Sequence, residues 1–365
     1  GEDFFCEVID EAQYIKNAGT KGARAVKSVS AQMKLALTGT PVENRLSELW
    51  SIFDYLMPGF LYSYEHFKKN FEMPIMKKEN EDAMADLQKM IRPFILRRLK
   101  KEVLSDLPDK IEKCVTIPLE GEQKKLYDAH VQRLKFMLEN EEFANIRMQV
   151  LAELTRLRQL CCDPALIYQD YQEGAAKMEL CMELLNNAVN GGHKVLLFSQ
   201  FTSMLGILEK RMEEAGIGYY SLTGSTPKKE RMELMEKFNR DATSVFCISL
   251  KAGGTGLNLT GADVVIHYDP WWNVAAENQA TDRAHRIGQK RVVTVYKLVA
   301  EQTNEAKVVA LQPQENELAD QVLFGEELGR ILFDRAELLQ LIPYSEDKMA
   351  DEENNNWSQS ESGLE

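Results

Sequence analysis

Nothing in the 365 residues approaches the roughly 18 consecutive apolar positions that a membrane-spanning helix needs. Gly1-Glu2-Asp3 provides no basic segment ahead of an apolar one, as an export signal would, so the expectation is a cytoplasmic protein with no membrane association. Cysteine is sparse. The six cysteines include the adjacent Cys161 and Cys162 but no CxxC pair, which argues for reduced thiols and against a disulfide framework. None of the 21 glycines is followed by lysine, so the phosphate-binding pattern GxxxxGK[ST] is missing. Positive charge is also short: 44 Lys and Arg face 57 Asp and Glu, a net charge of −13, which argues against a surface that coats nucleic acid throughout. Glu346, Asp347, Asp351, Glu352, Glu353, Glu361 and Glu365 face only Lys348 in the last stretch, which leaves room for a local basic groove elsewhere. That stretch, with its Asn run and few apolar groups, reads as a disordered acidic tail over 344–365.

The 44% apolar and 28% charged composition suits a soluble globular chain with a sizeable core. At about 150 residues per domain the length suggests two domains. A first residue that is Gly rather than Met, just ahead of an apolar run, is what a fragment would show. Phe4 to Ile9 and Met33 to Leu37 read as buried strands, the first stopping at Asp10-Glu11 and the second at Thr38-Gly39-Thr40-Pro41. From Leu46 the spacing turns helical (Leu46, Leu49, Trp50, Phe53, Leu56) and ends near a basic cluster of Arg92, Arg97, Arg98, Lys100 and Lys101. Residues 120–159 carry no proline and are expected to be mostly helical. Beyond Ala175 short apolar runs alternate with amphipathic segments. Strands are predicted near 195–198, 219–222, 245–250, 264–268 and 292–298, and helices near 203–214, 228–239 and 275–284. That rhythm predicts an α/β fold with a parallel sheet covered on both faces.

Three segments carry chemistry. Asp10-Glu11-Ala12-Gln13 follows a strand, and two acids there suit a magnesium nucleotide, because Mg²⁺ takes few carboxylates plus water while a neighbouring acid can orient a nucleophilic water. The run Ser249 to Leu259 holds Ala252-Gly253-Gly254-Thr255-Gly256, whose bare backbone can approach a phosphate of a nucleotide or of DNA. The segment Gln279 to Gln289 places Arg283 and Arg286 three apart on a predicted helix, so both guanidiniums point the same way and can serve one transferring phosphoryl group. His285 between them is more simply a packing or polar contact than a base.

These segments, together with Leu37 to Pro41, Glu43-Asn44, Leu196-Leu197-Phe198-Ser199-Gln200 and Asp269-Pro270-Trp271-Trp272-Asn273, stand in the order of the motifs of superfamily-two helicases. The sequence closely resembles the Swi/Snf branch, its bacterial members in particular, from Phe4 to about Leu328. Phe94 to Arg98, Leu107-Pro108, Leu222 to Thr226 and the Thr303 to Leu323 stretch carry the resemblance further.

The resemblance implies RecA-like parallel sheets with helical insertions: one partial and one complete lobe of a motor that hydrolyses ATP with Mg²⁺ and steps along double-stranded DNA. The first lobe would span 1–118 with a helical protrusion at about 52–110. The second would span 119–343, with a protrusion at about 119–190 and a brace helix at about 303–325. Asp10 would hold the metal, Glu11 would activate water, and Gln13 would couple the nucleotide to the opposing lobe. Arg283 and Arg286 would be the fingers, with Gln279 and Gly256 lining the same face. DNA contacts would come from Thr38, Gly39, Thr40, Ser199, Gln200, Ser249, Ala252 and Gly253, while Trp271 and Trp272 would mostly pack. The implied partners are double-stranded DNA and RNA polymerase or another DNA-bound protein, met by a monomer at the nucleoid. Two features depart from the family: the Gly-Lys-Thr phosphate loop and the adenine contacts are missing, and Pro313 interrupts the brace. The chain alone is therefore expected not to turn over ATP. A strand-separating helicase of the same superfamily and a non-catalytic DNA-binding module are the alternatives.

Overall fold

The structure is a computed structural model that describes residues 4–310 apart from 39–45, 77–80, 97, 99–102, 105, 141–142, 251, 253–256 and 272–273. Gly39, Thr40, Gly253, Gly256, Trp272, much of the basic cluster, Pro313 and the acidic tail lie outside the described residues. Within those described, residues 4–114, 182–297 and 308–310 form one compact unit, and residues 115–181 and 298–307 form another. Both segments assigned to lobes by the resemblance thus fall largely in the first unit, and most of the expected 119–190 protrusion forms the second.

Two sheets organise the first unit. β1 (Phe4–Ile9) pairs in parallel with β2 (Ala31–Ala36), Phe4 opposite Ala31 and Ile9 opposite Ala36. The crossover between them holds a 3₁₀ turn, Ala12–Ile15, and the helix Lys21–Lys27, whose first turn is capped by Thr20 accepting from the Ala23 amide. Ile9, Ala36 and Leu56 pack on one side of this pair around Ile15, Ala23 and Tyr55. Val8, Met33, Leu35 and Leu37 are exposed instead. The helical spacing predicted from Leu46 is realised as Leu46–Leu56, whose Leu46, Leu49 and Phe53 meet Phe67, Phe71, Ile75, Leu87 and Ile91 from the helices that follow.

The larger sheet has the order β3-β8-β7-β4-β6-β5, in which β3 is Lys110–Ile117, β4 Val195–Ser199, β5 Tyr219–Leu222, β6 Val245–Ser249, β7 Val264–His267 and β8 Val293–Ala300. β4 pairs in parallel with β6 and β7, β6 with β5, and β7 with β8. Every residue of β4, β6 and β7 is buried. Helices cover both faces of such a sheet, so its strands show no polar alternation, and this is why their near-continuous apolar runs could be located in the sequence. The connecting helices Thr202–Glu214 and Lys228–Arg240 begin and end within one residue of the predicted bounds. Phe238 packs on Phe246 at 5.2 Å between ring centroids.

In the second unit the helices Gly121–Asn140 and Phe143–Cys162 run antiparallel, with the Gln123 amide donating to the Leu160 carbonyl at 2.8 Å. A fully buried ion pair joins Lys177, near the start of the helix Ala176–Asn190, to Glu305 beyond β8. Burial alone would lower the Lys177 pKa, but Glu305 and the neighbouring Cys162 and Cys161 thiols raise it above the ordinary lysine value. Tyr127 adds two bonds to Asn304: its hydroxyl donates to the Asn304 side-chain carbonyl at 3.2 Å and accepts from the backbone N–H at 2.8 Å. Among the described residues no helix is long and apolar enough to cross a membrane.

Removing one member of a buried pair strands the other. Lys177→Met is expected to destabilise the protein by about 3–5 kcal/mol, and the double change with Glu305→Met by much less. Thermal denaturation of the three variants measures this; a double-variant loss equal to the sum of the two single-variant losses would show that the pair is not coupled.

Candidate nucleotide site

The acids expected to serve a nucleotide sit where β1 ends. Glu11 adopts left-handed backbone angles, φ 54° and ψ 53°, uncommon for a residue with a side chain. The Ala12 amide nevertheless reaches the Leu37 carbonyl at 2.9 Å, so the turn is tied to the end of β2. Asp10 is exposed, and its Oδ1 accepts from the Glu11 amide at 2.9 Å.

Both Glu11 oxygens are engaged. Oε2 accepts from Gln13 Nε2 at 2.7 Å, and Oε1 accepts from Gln279 Nε2 at 2.9 Å, from a residue 268 positions further along the chain. Gln13 Oε1 in turn accepts from the Thr38 hydroxyl at 2.8 Å. A continuous chain of side-chain hydrogen bonds therefore runs Thr38, Gln13, Glu11, Gln279, the last on the helix Val274–Thr281. Arg283 lies close by and is almost fully buried, with no partner for its Nε. Burial pushes its pKa down; the Glu11 charge opposes that shift, and the neighbouring Arg286 reinforces it.

The helix expected to carry both arginines stops at Thr281, ahead of them. Arg283 is buried whereas Arg286 is exposed, with its Nη1 3.4 Å from the Leu257 carbonyl. The physical reason lies in where the carbonyls go. The Arg283 carbonyl accepts from the Leu259 amide at 3.1 Å, and the Ala284 carbonyl accepts from Gln289 Nε2 at 3.1 Å, so neither is left for a following helical turn. Gly288, at φ 102°, takes the chain out of the turn through a conformation that side chains resist.

Gln289 was visible in the sequence only as a flank of the arginine segment, yet it organises it. Its Nε2 also donates to the carbonyls of Ala262 (2.7 Å) and Thr260 (3.3 Å), and its Oε1 accepts from the amides of Lys290 (2.8 Å) and Arg291 (2.9 Å). His285 is mostly buried and donates from Nε2 to the Pro108 carbonyl at 2.7 Å, the polar contact expected of it.

The residues assigned to DNA are placed differently from the simple picture of exposed phosphate contacts. Thr38 is bound to Gln13. Ser199 and Ser249 stand opposite each other at the ends of β4 and β6, and both are buried, as is Ala252, whose amide donates to the Ser249 hydroxyl at 3.3 Å. Ser199 donates to Asp269 Oδ1 at 2.5 Å, and Gln200 donates to the same carboxylate from its side chain and, at 3.3 Å, from its backbone. Asp269 is fully buried. Its signal in the sequence, an acid directly after an apolar strand, is the same as that of Asp10, and the neighbouring Trp271 and Trp272 mask it. Trp271 packs against the core of the large sheet, and its amide donates to Glu277 Oε2 at 3.1 Å. Glu277 is buried and pairs with Lys297 at 2.7 Å, which fixes the start of the helix that carries Gln279.

Residues 4–166 match the SNF2-related domain family, and residues 176–288 match the helicase conserved C-terminal domain family. The SWI2/SNF2 ATPase core domain of Sulfolobus solfataricus is 37% identical with a TM-score of 0.56, over 93% of this chain and 70% of that one. The chain belongs to the SWI2/SNF2 ATPase family. The same archaeal core in complex with double-stranded DNA is 38% identical with a TM-score of 0.51, over 88% of this chain and 70% of that one. Among curated relatives, the putative ATP-dependent helicase/translocase YwqA of Bacillus subtilis is 42% identical over 87% of this chain and 35% of its own length. The TATA-binding protein-associated factor MOT1 of Saccharomyces cerevisiae is 36% identical over 98% of this chain and 22% of its own length. The chain thus spans about a third or less of the length of these relatives. The mixed α/β architecture with parallel sheets is that expected of RecA-like lobes in this family.

Gln289→Met would leave three carbonyls without a donor in a SWI2/SNF2 arginine turn. A loss of about 1–3 kcal/mol or more is expected from stranded buried groups, read as a lower midpoint in chemical denaturation. An unchanged midpoint would show that water replaces the amide.

Proposed function

We propose that the parent protein hydrolyses ATP between two RecA-like lobes and uses the cycle to move along double-stranded DNA, and that this chain supplies the distal part of the first lobe and the second lobe. The observation that carries the proposal is the Gln279 to Glu11 hydrogen bond beside a buried Arg283, which brings together motifs 268 residues apart. The residues fit a magnesium nucleotide: Asp10 offers an exposed carboxylate next to Glu11, and the unpartnered Arg283 Nε is a buried cationic donor suited to a phosphate. Asp10 would hold the magnesium of a bound nucleotide, which would supply positive charge to offset that of the phosphates.

Each side chain has a task in that scheme. Asp10 holds the metal. Glu11, an acceptor at both oxygens, orients and deprotonates the attacking water once a glutamine amide yields its place. Arg283 and Arg286 stabilise charge on the transferring group, the buried one more strongly because water screens it less. Gln13 joins Glu11 to Thr38, the first residue of the segment assigned to DNA, so a shift there reaches the base. Ser199, Ser249 and Ala252, being buried, act on DNA by shaping the strand ends, and Gln200 is the member of that group nearest to contact.

The Gly-Lys-Thr loop has no counterpart in the 365 residues, so the isolated chain is not expected to turn over ATP. The apolar face of β1 and β2, with Val8, Met33 and Leu35 exposed, is where further residues of the first lobe would pack. The archaeal relative solved with double-stranded DNA supports duplex as the track. The parent is read as a monomer acting in the cytoplasm at the nucleoid, on complexes of RNA polymerase or other proteins with DNA.

In the full-length protein, Arg283→Ala and Glu11→Gln are each expected to lower DNA-stimulated phosphate release by about 10³-fold while leaving duplex affinity nearly unchanged. Equal loss of turnover and affinity would overturn the assignment. Efficient separation of a tailed duplex would favour the helicase reading over translocation.

A further inference from the structure

A second constellation lies in the second unit, outside the nucleotide site. His130 is on the helix Gly121–Asn140, Glu153 and Arg156 are on Phe143–Cys162, and Tyr168 follows the 3₁₀ turn Pro164–Leu166. Glu153 is nearly fully buried; its Oε2 accepts from Arg156 Nη1 at 2.9 Å, and its Oε1 makes a short contact with His130 Nδ1. His130 Nε2 lies 2.8 Å from the Tyr168 hydroxyl. An ionised carboxylate only accepts, so Nδ1 carries the proton, and in the neutral ring Nε2 is left as an acceptor. With the ring neutral, the Tyr168 O–H donates to Nε2. His130 is mostly buried, whereas Tyr168 is 38% exposed.

We infer that Tyr168 is an activated nucleophile, a site for covalent modification by activated acyl and sulfonyl groups. A phenol is a poor nucleophile while it keeps its proton; a base within hydrogen-bond reach, held in one tautomer by a buried acid, is the arrangement that activates hydroxyls in hydrolases on unrelated folds. Glu153 stabilises the imidazolium that forms, and Arg156 holds Glu153 in place. With an aryl sulfonyl fluoride, a bond forms from Tyr168 Oη to sulfur as the sulfur–fluorine bond breaks. The phenolic proton passes to His130 Nε2, and fluoride leaves. The site shares no residue with the nucleotide reading and does not depend on it.

The test is site-resolved labelling of the full chain with an aryl sulfonyl fluoride, followed by peptide mass spectrometry. Tyr14 and Tyr62, at 68% and 50% exposure, serve as internal standards. Tyr168 is expected to label at least about tenfold faster than either, the low side of what a positioned base supplies. His130→Gln should bring Tyr168 down to about the rate of the standards, leave Tyr14 and Tyr62 unchanged, and retain the wild-type circular dichroism. The wild-type comparison needs no substitution and decides the matter even if the variant does not fold. Labelling of Tyr168 no faster than Tyr62 would overturn the inference, and so would fast labelling that persists in a folded His130→Gln variant.

Discussion

The hydrogen bond from Gln279 to Glu11 is the constraint on which the site rests, because it fixes the end of β1 against the helix that leads to Arg283. A carboxylate needs donors when it leaves water, and Glu11 finds two amides, one local and one distant. Its left-handed backbone is what aims the side chain between them. Strain of this kind persists only where surroundings over-determine it, and here the Ala12 to Leu37 backbone bond and the two glutamines do so.

A second regularity links the site to the fold. The parallel strands of the large sheet end in loops whose backbone groups must be satisfied, and buried side chains meet that need. Asp269 collects Ser199 and Gln200 beyond β4; Gln289 collects three carbonyls and two amides beyond the arginine turn. The catalytic candidates are therefore embedded in polar networks, where losing one partner leaves others unpaired.

Most of the sheet was legible in the sequence because β4, β6 and β7 are buried on both faces and read as uninterrupted apolar runs. Val245 to Ser249 and Val264 to His267 are examples in which length and flanking polar residues sufficed. The arginine segment was legible in composition but not in shape. Periodicity predicts a helix through Ala284, and nothing local reveals that Leu259 and Gln289 divert its carbonyls. Asp269 was missed for a related reason: a buried acid and a solvent-facing acid look alike until their partners are known. The burial of Ser199 and Ser249 follows from the pairing of β4 with β6, a long-range fact that spacing along the chain does not encode.

The order of the large sheet also bears on how the chain can be made. β3, the earliest of its six strands to be synthesised, neighbours β8, the latest. The 175 residues between Ile117 and Val293 must emerge before that seam can close, so loop-closure entropy is met late. Until then the exposed border of β3 is open to association with other nascent chains, which makes translation speed and chaperone occupancy natural controls on yield.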